Sequence, residues 1–325
     1  MAHLRPPPID EPAAQSVPRE RDRGQLILVA AFLLAVLFVG LAVVVNSAIF
    51  TENLATRSEN VDANEALQYS HSVEQAVGSM LATANLNNEG QQSFDDLEDE
   101  ITDALENASI YTGTQQVEYG SGVSVDLTGT EDGIRIFQND GTNFTGNDSE
   151  EDWTVAEDVD RTRAFTLELG DEPSGDFVVE ANDTSTRNPE WVMTVDDEKL
   201  TVTADGGAET TCAIDSYPIE IHVTDATIDG SPCPGLVDTE DGNPRHFAVG
   251  IDGSYDIEFE GGGNVDSGNY SMILKGENAG LPDNQTAEGQ PNQVDAIYSA
   301  IVDIQYQTSK VTYETQVRVA PGEQP

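Results

Sequence analysis

Side chains able to carry out chemistry are present, but none stands in a pattern that specifies a reaction. The chain has four histidines, none with a second ligand at metal-binding spacing: His3, His71, His222 and His246. The sequence contains no nucleophile elbow, no Walker-type phosphate loop and no dinucleotide-binding glycine motif. Acidic pairs such as Asp196 with Asp197, or Asp238 with Glu240, are expected by composition in a chain with 60 acidic residues. We therefore predict no enzymatic activity and no catalytic, cofactor-binding or metal-binding residues.

The two cysteines, Cys212 and Cys233, are the next candidates for chemistry. Only one histidine lies between them, which is too few ligands for a zinc site. A disulfide closing a loop of about 22 residues would add roughly 3 kcal/mol to stability in the chain-entropy model. We predict one disulfide between Cys212 and Cys233, because the part of the chain that holds them is expected outside the cytoplasm, where thiols are usually oxidised.

Asparagine side chains offer potential modification sites. Six N-x-[ST] sequons, the acceptor pattern for N-glycosylation, occur in the chain: Asn107, Asn143, Asn147, Asn182, Asn269 and Asn284. A chain rich in Asn, Ser and Thr produces several sequons by chance, so the set supports surface display without predicting occupancy of any one position.

An uninterrupted apolar run positions the rest of the chain. Residues Leu26 to Val45 carry no charge, and as a helix they would span roughly 30 Å, the hydrocarbon thickness of a bilayer. We predict a transmembrane helix over residues 25–46. Three arginines precede the run, Arg19, Arg21 and Arg23, which predicts a cytoplasmic N-terminus and an extracellular C-terminal part.

The residues directly before this run indicate processing. Arg23, Gly24 and Gln25 stand at its start, and this arrangement resembles the class III leader of archaeal type IV prepilins. The resemblance implies that a prepilin peptidase cuts after Gly24 and leaves the apolar segment in the mature chain. A plain, uncleaved signal anchor is the alternative. Bacterial pilins usually carry Glu at the fifth mature position, which is Val29 here, so the resemblance does not extend to that assembly device.

Charge further limits the functions available to the chain. Sixty Asp and Glu against 14 Lys and Arg give a formal charge of −46, while residues 1–24 sum to zero. Such a surface is typical of halophilic proteins, in which salt screens the self-repulsion. It also disfavours binding to nucleic acids, whose phosphates attract basic surfaces.

Hydrophobic periodicity divides the chain into four parts. We predict a disordered leader over 1–24 and the transmembrane helix over 25–46. Residues 47–112 are predicted to form a helical stalk, which continues the anchor to about Ala84, and then a second amphipathic helix capped by Ser93. A break near residues 46–56 is an alternative to a continuous helix. Residues 113–325 alternate as strands do, which predicts an acidic, mostly antiparallel β, sandwich-like part of one or two domains. The fold class is therefore α+β. Within the β part we predict a turn at Glu131 to Gly133, among others, a loop from Asn278 to Asn292, and a C-terminal hairpin from Ile301 to Val319.

This order of parts resembles that of archaeal type IV pilin-like proteins. The stretches TENLATR and VTYETQVRVAPGEQP also look like a family of haloarchaeal membrane proteins of uncharacterised role. The resemblance implies a membrane-anchored, surface-displayed pilin-like subunit or pseudopilin, as a minor or non-filament component. Its partners would be the membrane, the prepilin peptidase and other pilin-like subunits. The alternative is a monomeric, membrane-tethered extracellular binding or sensing domain.

Overall fold

The structure is a computed structural model, and it describes residue 38 and residues 64–118, 121–186, 189–204, 209–237, 246–248, 251, 253–285 and 291–323. Residues from Ala63 to Pro325 form one compact unit. In the part of the chain that the structure describes, no helix is both long and apolar enough to cross a membrane. The predicted transmembrane helix over 25–46 and the residues Arg23, Gly24 and Gln25 lie outside the described residues.

Two antiparallel helices open the described unit. Helix α1 covers residues 64–87, and α2 covers Phe94–Glu118 after a short connection. Ser93 caps α2 as predicted: its hydroxyl accepts a hydrogen bond from the Asp96 N–H at 3.3 Å, and its own N–H donates to the Asp96 carboxylate at 2.9 Å. This reciprocal pair satisfies two backbone groups at the helix start.

Within the described residues, fourteen strands follow the helices. Their bounds are β1 Gly122–Thr142, β2 Trp153–Val159, β3 Arg161–Leu169, β4 Phe177–Asp183, β5 Pro189–Val195, β6 Lys199–Ala204, β7 Thr210–Ala213, β8 Ile219–His222, β9 Thr227–Ile228, β10 Ser231–Pro232, β11 Tyr255–Glu260, β12 Gly268–Lys275, β13 Asn292–Gln307 and β14 Thr312–Val319. They form an eight-stranded sheet in the order β10-β9-β8-β3-β12-β1-β13-β14 and a six-stranded sheet in the order β2-β11-β4-β5-β6-β7. The named strand pairs are antiparallel, which confirms the β-rich part of the prediction.

One hydrophobic core joins the two sheets into a sandwich. Phe165 and Leu167 of the eight-stranded sheet lie in the same buried cluster as Trp191, Met193 and Phe259 of the six-stranded sheet. Because side chains alternate along a strand, every second residue of β3, β5 and β11 reaches this core. The β part is therefore a single sandwich.

The helices cover part of the outer face of the eight-stranded sheet, and this corrects the predicted architecture. Val77 and Leu81 of α1 and Ile101 of α2 are buried in one cluster with Val302 and Ile304 of β13. The prediction of a helical stalk continuing from a membrane helix is wrong for residues 64–118, because their apolar stripes are covered by the sheet. Both helices therefore bury their apolar stripes against the eight-stranded sheet.

Of two local predictions, the structure corrects one and confirms the other. Glu131 to Gly133 is not a turn but lies inside β1, where the register with β13 shifts. A side chain at Gly133 would place Cβ 2.7 Å from the Leu274 carbonyl oxygen, so the glycine allows close approach of a neighbouring strand rather than a chain reversal. The predicted C-terminal hairpin is confirmed, although β13 starts earlier than expected, at Asn292.

Candidate functional site

A groove lies on the outer face of the eight-stranded sheet, beside α1. It has a volume of about 590 Å³, within the usual range of small-molecule sites. Strands β8, β3, β12 and β1 contribute to it, together with Ala82 and Leu86 of α1 and Pro321 and Gly322 after β14. We call this the outer groove.

Strand alternation places two rows of polar side chains in the outer groove. In the first row, His222 of β8 pairs with Thr166 of β3, and Thr166 pairs with Ser271 of β12. The Thr166 hydroxyl lies 3.3 Å from His222 Nδ1. Leu167, the residue after Thr166 in β3, and Tyr270, the residue before Ser271 in β12, face the sandwich core instead. The same alternation that fills the core therefore exposes a polar ladder on the opposite face.

The second row consists of two opposed acids and an amide. Glu220 of β8 pairs with Glu168 of β3, and Glu168 pairs with Asn269 of β12. The Asn269 amide donates to Glu168 at 2.9 Å, and Glu220 lies 3.4 Å from His222 Nε2. Like charges on directly opposed strand positions destabilise a sheet, so this row costs stability in the unliganded protein.

Arg135 of β1 forms the wall of the groove at the end of α1. Its Nε donates to Ser271 Oγ at 2.9 Å, and its Nη1 donates to the carbonyl oxygens of Asn85 and Leu86 at 3.3 and 3.0 Å. The guanidinium also lies 4.1 Å from the centre of the Phe137 ring. The side chain is 6% exposed, and burial lowers its pKa, with Glu89 acting in the opposite direction. Among the described residues, Nη2 has no hydrogen-bond partner and no carboxylate lies within 4 Å.

Arg163 of β3 lies beneath the groove and holds the C-terminal segment. It is fully buried, and it donates to the Ile297 carbonyl oxygen at 2.7 Å and to the Pro321 carbonyl oxygen at 3.1 Å. Its Nε has no hydrogen-bond partner in the described part of the chain, and burial lowers its pKa to about 10. Gly322 adopts a positive φ of 78°, which brings its backbone close to the Ala164 amide. Two buried guanidiniums therefore lie at this face without a carboxylate partner among the described residues.

A second charged cluster lies nearby but is neutralised internally. Glu131 accepts hydrogen bonds from Lys275, Ser299 and Arg318, and Glu323 accepts from Arg161 and Arg318. Burial opposes ionisation of Glu131, but these donors outweigh it and lower its pKa to about 2. This network fixes the chain after β14. Within the described residues, Arg135 and Arg163 make no ion pair within 4 Å, and the carboxylates of Glu89 and Glu323 act on them only at longer range.

The disulfide predicted from the two cysteines is confirmed. The sulfur atoms of Cys212 and Cys233 are bonded, and the bridge ties the end of the six-stranded sheet to the segment after β10. It lies apart from the outer groove and lines a separate depression of about 360 Å³.

The sequons lie in different surroundings. Asn107 on α2, Asn143 after β1 and Asn284 in a short 3-10 turn are exposed. Asn147 is partly buried and donates to the Asn284 carbonyl oxygen. Glycosylation of these positions stays a prediction.

The other two sequons are less open to solvent. Asn269 lies in the outer groove, where its amide is engaged by Glu168. Asn182 is 8% exposed, and no described residue hydrogen-bonds its Oδ1. A glycan at Asn182 would require this strand to open, because the side chain is enclosed in the fold.

The remaining candidates for chemistry do not come together. His71 is exposed on α1, and Asp196 and Asp197 lie in the turn between β5 and β6, where Asp196 accepts backbone hydrogen bonds. Asp238 and Glu240 lie outside the described residues. No group of three or more His, Cys, Asp or Glu among the described residues is arranged to hold a metal ion.

Sequence analysis named His222 as a histidine and Asn269 as a sequon, but it did not identify the other groove residues. Arg135 and Arg163 are isolated basic residues in an acidic chain, and their scarcity was the available signal. Their common location depends on strand pairing over more than 130 residues, from β1 to β12.

Comparison with known proteins gives one match. No curated protein and no solved structure matches the chain. Residues 20–141, which include the leader motif, the apolar run, both helices and β1 up to Gly141, match a family described as a family of unknown function, DUF7261.

Proposed function

We propose that this protein is a membrane-tethered, extracytoplasmic binding domain whose ligand site is the outer groove. The observation that carries the proposal is the pair of buried guanidiniums, Arg135 and Arg163, at a groove of about 590 Å³ without a carboxylate partner among the described residues. Burying a charge is costly unless a counter-charge binds it directly, and Glu89 and Glu323 act on these two cations only at longer range; the outer groove offers the space for a ligand that binds them.

The polar side chains of the outer groove support binding rather than packing alone. Thr166, Ser271 and His222 line it from three neighbouring strands. Ligand sites combine apolar lining with a few convergent polar groups on rigid elements, and the sheet supplies this rigidity.

The location outside the cytoplasm rests on the sequence and on the disulfide. The apolar run from Leu26 to Val45 is long enough for a membrane anchor, and the preceding arginines favour a cytoplasmic N-terminus. The bridge between Cys212 and Cys233 fits an oxidising compartment. The charge of −46 fits a halophilic organism, in which salt screens the surface.

Saturation-transfer NMR tests whether the outer groove binds ligands. The full-length protein in detergent would be screened against a defined mixture of small molecules, as wild type, Ala82→Trp and Thr83→Trp. Ala82 is exposed and lines the groove, whereas the neighbouring Thr83 is exposed and does not. We expect at least one compound to bind the wild type and Thr83→Trp but not Ala82→Trp. Equal responses in both variants, or no binding at all, would refute the proposal.

A second candidate is a minor pilin-like subunit or pseudopilin. The motif Arg23, Gly24, Gln25 before the apolar run favours it, and the family match begins at residue 20 and includes that motif. N-terminal peptide mass spectrometry of the membrane fraction distinguishes cleavage after Gly24 from an uncleaved anchor. Shearing cells and comparing this chain in filaments and membranes then tests assembly. Retention of residues 1–24 would exclude pilin-type processing.

A further inference from the structure

We propose that the outer groove binds a short zwitterionic peptide, with its carboxylate at Arg135 and its ammonium group at Glu168 and Glu220. This inference rests on the proposed binding function and names its ligand class. It follows from the charge pattern of the groove, which is positive at the α1 wall and negative along the second polar row.

The positive end is set by hydrogen bonds that orient Arg135. Ser271 accepts a hydrogen bond from Nε, and the carbonyl oxygens of Asn85 and Leu86 accept from Nη1, so the guanidinium group is held in one orientation. Its Nη2 has no hydrogen-bond partner among the described residues. A charge-assisted hydrogen bond from a preorganised guanidinium is stronger than one between neutral groups. A carboxylate would therefore accept from Nη2 and add to the long-range attraction that Glu89 exerts on this guanidinium.

The negative end is set by the pairing of Glu168 with Glu220 across β3 and β8. Each acid has a neighbour, Asn269 or His222, but neither has a lysine or arginine within 4 Å among the described residues. Asp225 adds a third acid to the lining. An ammonium group between the two glutamates would relieve their repulsion, whereas a polyanion would increase it.

The register of the strands sets the length of the ligand. Ser271, which accepts from Arg135, pairs with Thr166, and Glu168 lies two residues further along β3. From the spacing between strands and the rise per residue, the Cα atoms of Ser271 and Glu168 are about 8 Å apart. An extended chain spans at most about 3.5 Å per residue, so a peptide of two or three residues covers this backbone distance.

Calorimetric titration with end-blocked peptides tests this assignment. The full-length protein in detergent, at constant chloride concentration, would be titrated with triglycine, N-acetyltriglycine, triglycine amide and glucuronate. We expect triglycine to bind, and each end-blocked peptide to bind at least about tenfold more weakly, because each loses one charge-assisted contact. Glucuronate carries a carboxylate and hydroxyl groups but no cation, and it should also bind more weakly.

Variants assign each end of the peptide to its partner. Glu168→Gln should weaken triglycine binding but leave N-acetyltriglycine unchanged, since the blocked peptide has no ammonium group. Arg135→Gln should weaken triglycine binding but leave triglycine amide unchanged. Lys199→Gln removes a positive charge, as Arg135→Gln does, and Glu198→Gln removes a negative charge, as Glu168→Gln does. Both positions are exposed where β6 begins, in the opposite sheet, and serve as matched controls. Glu168 is exposed, so its variant remains informative if Arg135→Gln destabilises the fold.

The outcomes separate this inference from the proposed function. Equal affinity for free and end-blocked peptides, stronger binding of glucuronate, or no triglycine binding at millimolar concentration would overturn the zwitterion assignment. If the NMR screen still finds another compound that Ala82→Trp excludes, the binding function stands and the ligand class is wrong. If neither experiment detects binding, both are wrong.

Discussion

Replacement of Asn85 by alanine tests how α1 is held against the sheet. Asn85 is 1% exposed and lies at the end of α1. Its Nδ2 donates to the Ile297 carbonyl oxygen at 2.9 Å, and its Oδ1 accepts from the Ile297 N–H at 2.8 Å. The Asn85 side chain thus makes the same pair of hydrogen bonds to β13 that the backbone of a neighbouring strand would make. The backbone carbonyl oxygen of Asn85 accepts a hydrogen bond from Arg135.

The expected cost of Asn85→Ala follows from the groups left behind. The Ile297 carbonyl oxygen keeps the hydrogen bond from Arg163, whereas the Ile297 N–H loses the partner that it has here. Two lost hydrogen bonds at about 0.5–1.5 kcal/mol each, with one buried donor left unsatisfied, give a destabilisation of about 2–4 kcal/mol. The cost falls on the same helix end that forms the wall of the outer groove.

Denaturant unfolding of the full-length protein in detergent, at constant molar salt, measures this change. The two tryptophans, Trp153 and Trp191, are buried in the sandwich core and report global unfolding. Asn107→Ala is the matched control, because Asn107 is exposed on α2 and its one hydrogen bond to a described residue goes to the Asp103 carbonyl oxygen of its own helix. We expect the control to stay within about 0.5 kcal/mol of wild type. An equal effect of the two variants would refute the docking of α1 through Asn85.

Three further predictions concern the charged network, the disulfide and salt. The pKa of Glu131 is lowered to about 2, so its contribution to stability is complete above the ordinary pKa of 4.5 and is lost as pH falls towards 2. After allowance for solvent screening of this partly exposed group we expect a loss of about 1–2 kcal/mol, measured by denaturation between those pH values and absent in Glu131→Gln. Reduction of the bridge between Cys212 and Cys233 should cost roughly 3 kcal/mol in the same assay, and no change on reduction would contradict its role. The sandwich should lose its circular-dichroism signal below roughly molar salt, because the Debye length then exceeds about 3 Å and repulsion returns; indifference to salt would contradict the halophilic interpretation.

Local pattern predicted the elements better than it predicted their packing. The alternation of Phe165, Leu167 and Leu169 identified β3 and its core face, and Ser93 identified the start of α2. These signals are local, because period and capping depend on residues a few positions apart. The apolar stripe of α1 fitted an exposed stalk and a helix docked on the sheet equally well.

The candidate site escaped prediction for a related reason. Thr166 and Glu168 alternate with core residues, so their outward direction could be inferred from β3 alone. Their neighbours Ser271 and His222 come from β12 and β8, and only the register of distant strands brings them together. The turn predicted at Gly133 was wrong for the same reason: the glycine permits close contact with a neighbouring strand, and a glycine after two acidic residues is also typical of a turn.

Cysteine labelling on intact cells tests the central claim most directly. Ala82→Cys places a thiol in the outer groove, and Thr83→Cys places one beside it; the native cysteines are bridged and do not compete. A membrane-impermeant maleimide should label both variants on intact cells, and a compound that binds the groove should slow labelling of Ala82→Cys alone. Labelling of both variants only after lysis would contradict display at the surface. Equal slowing of the two variants, or slowing of neither, would contradict a ligand site in the outer groove.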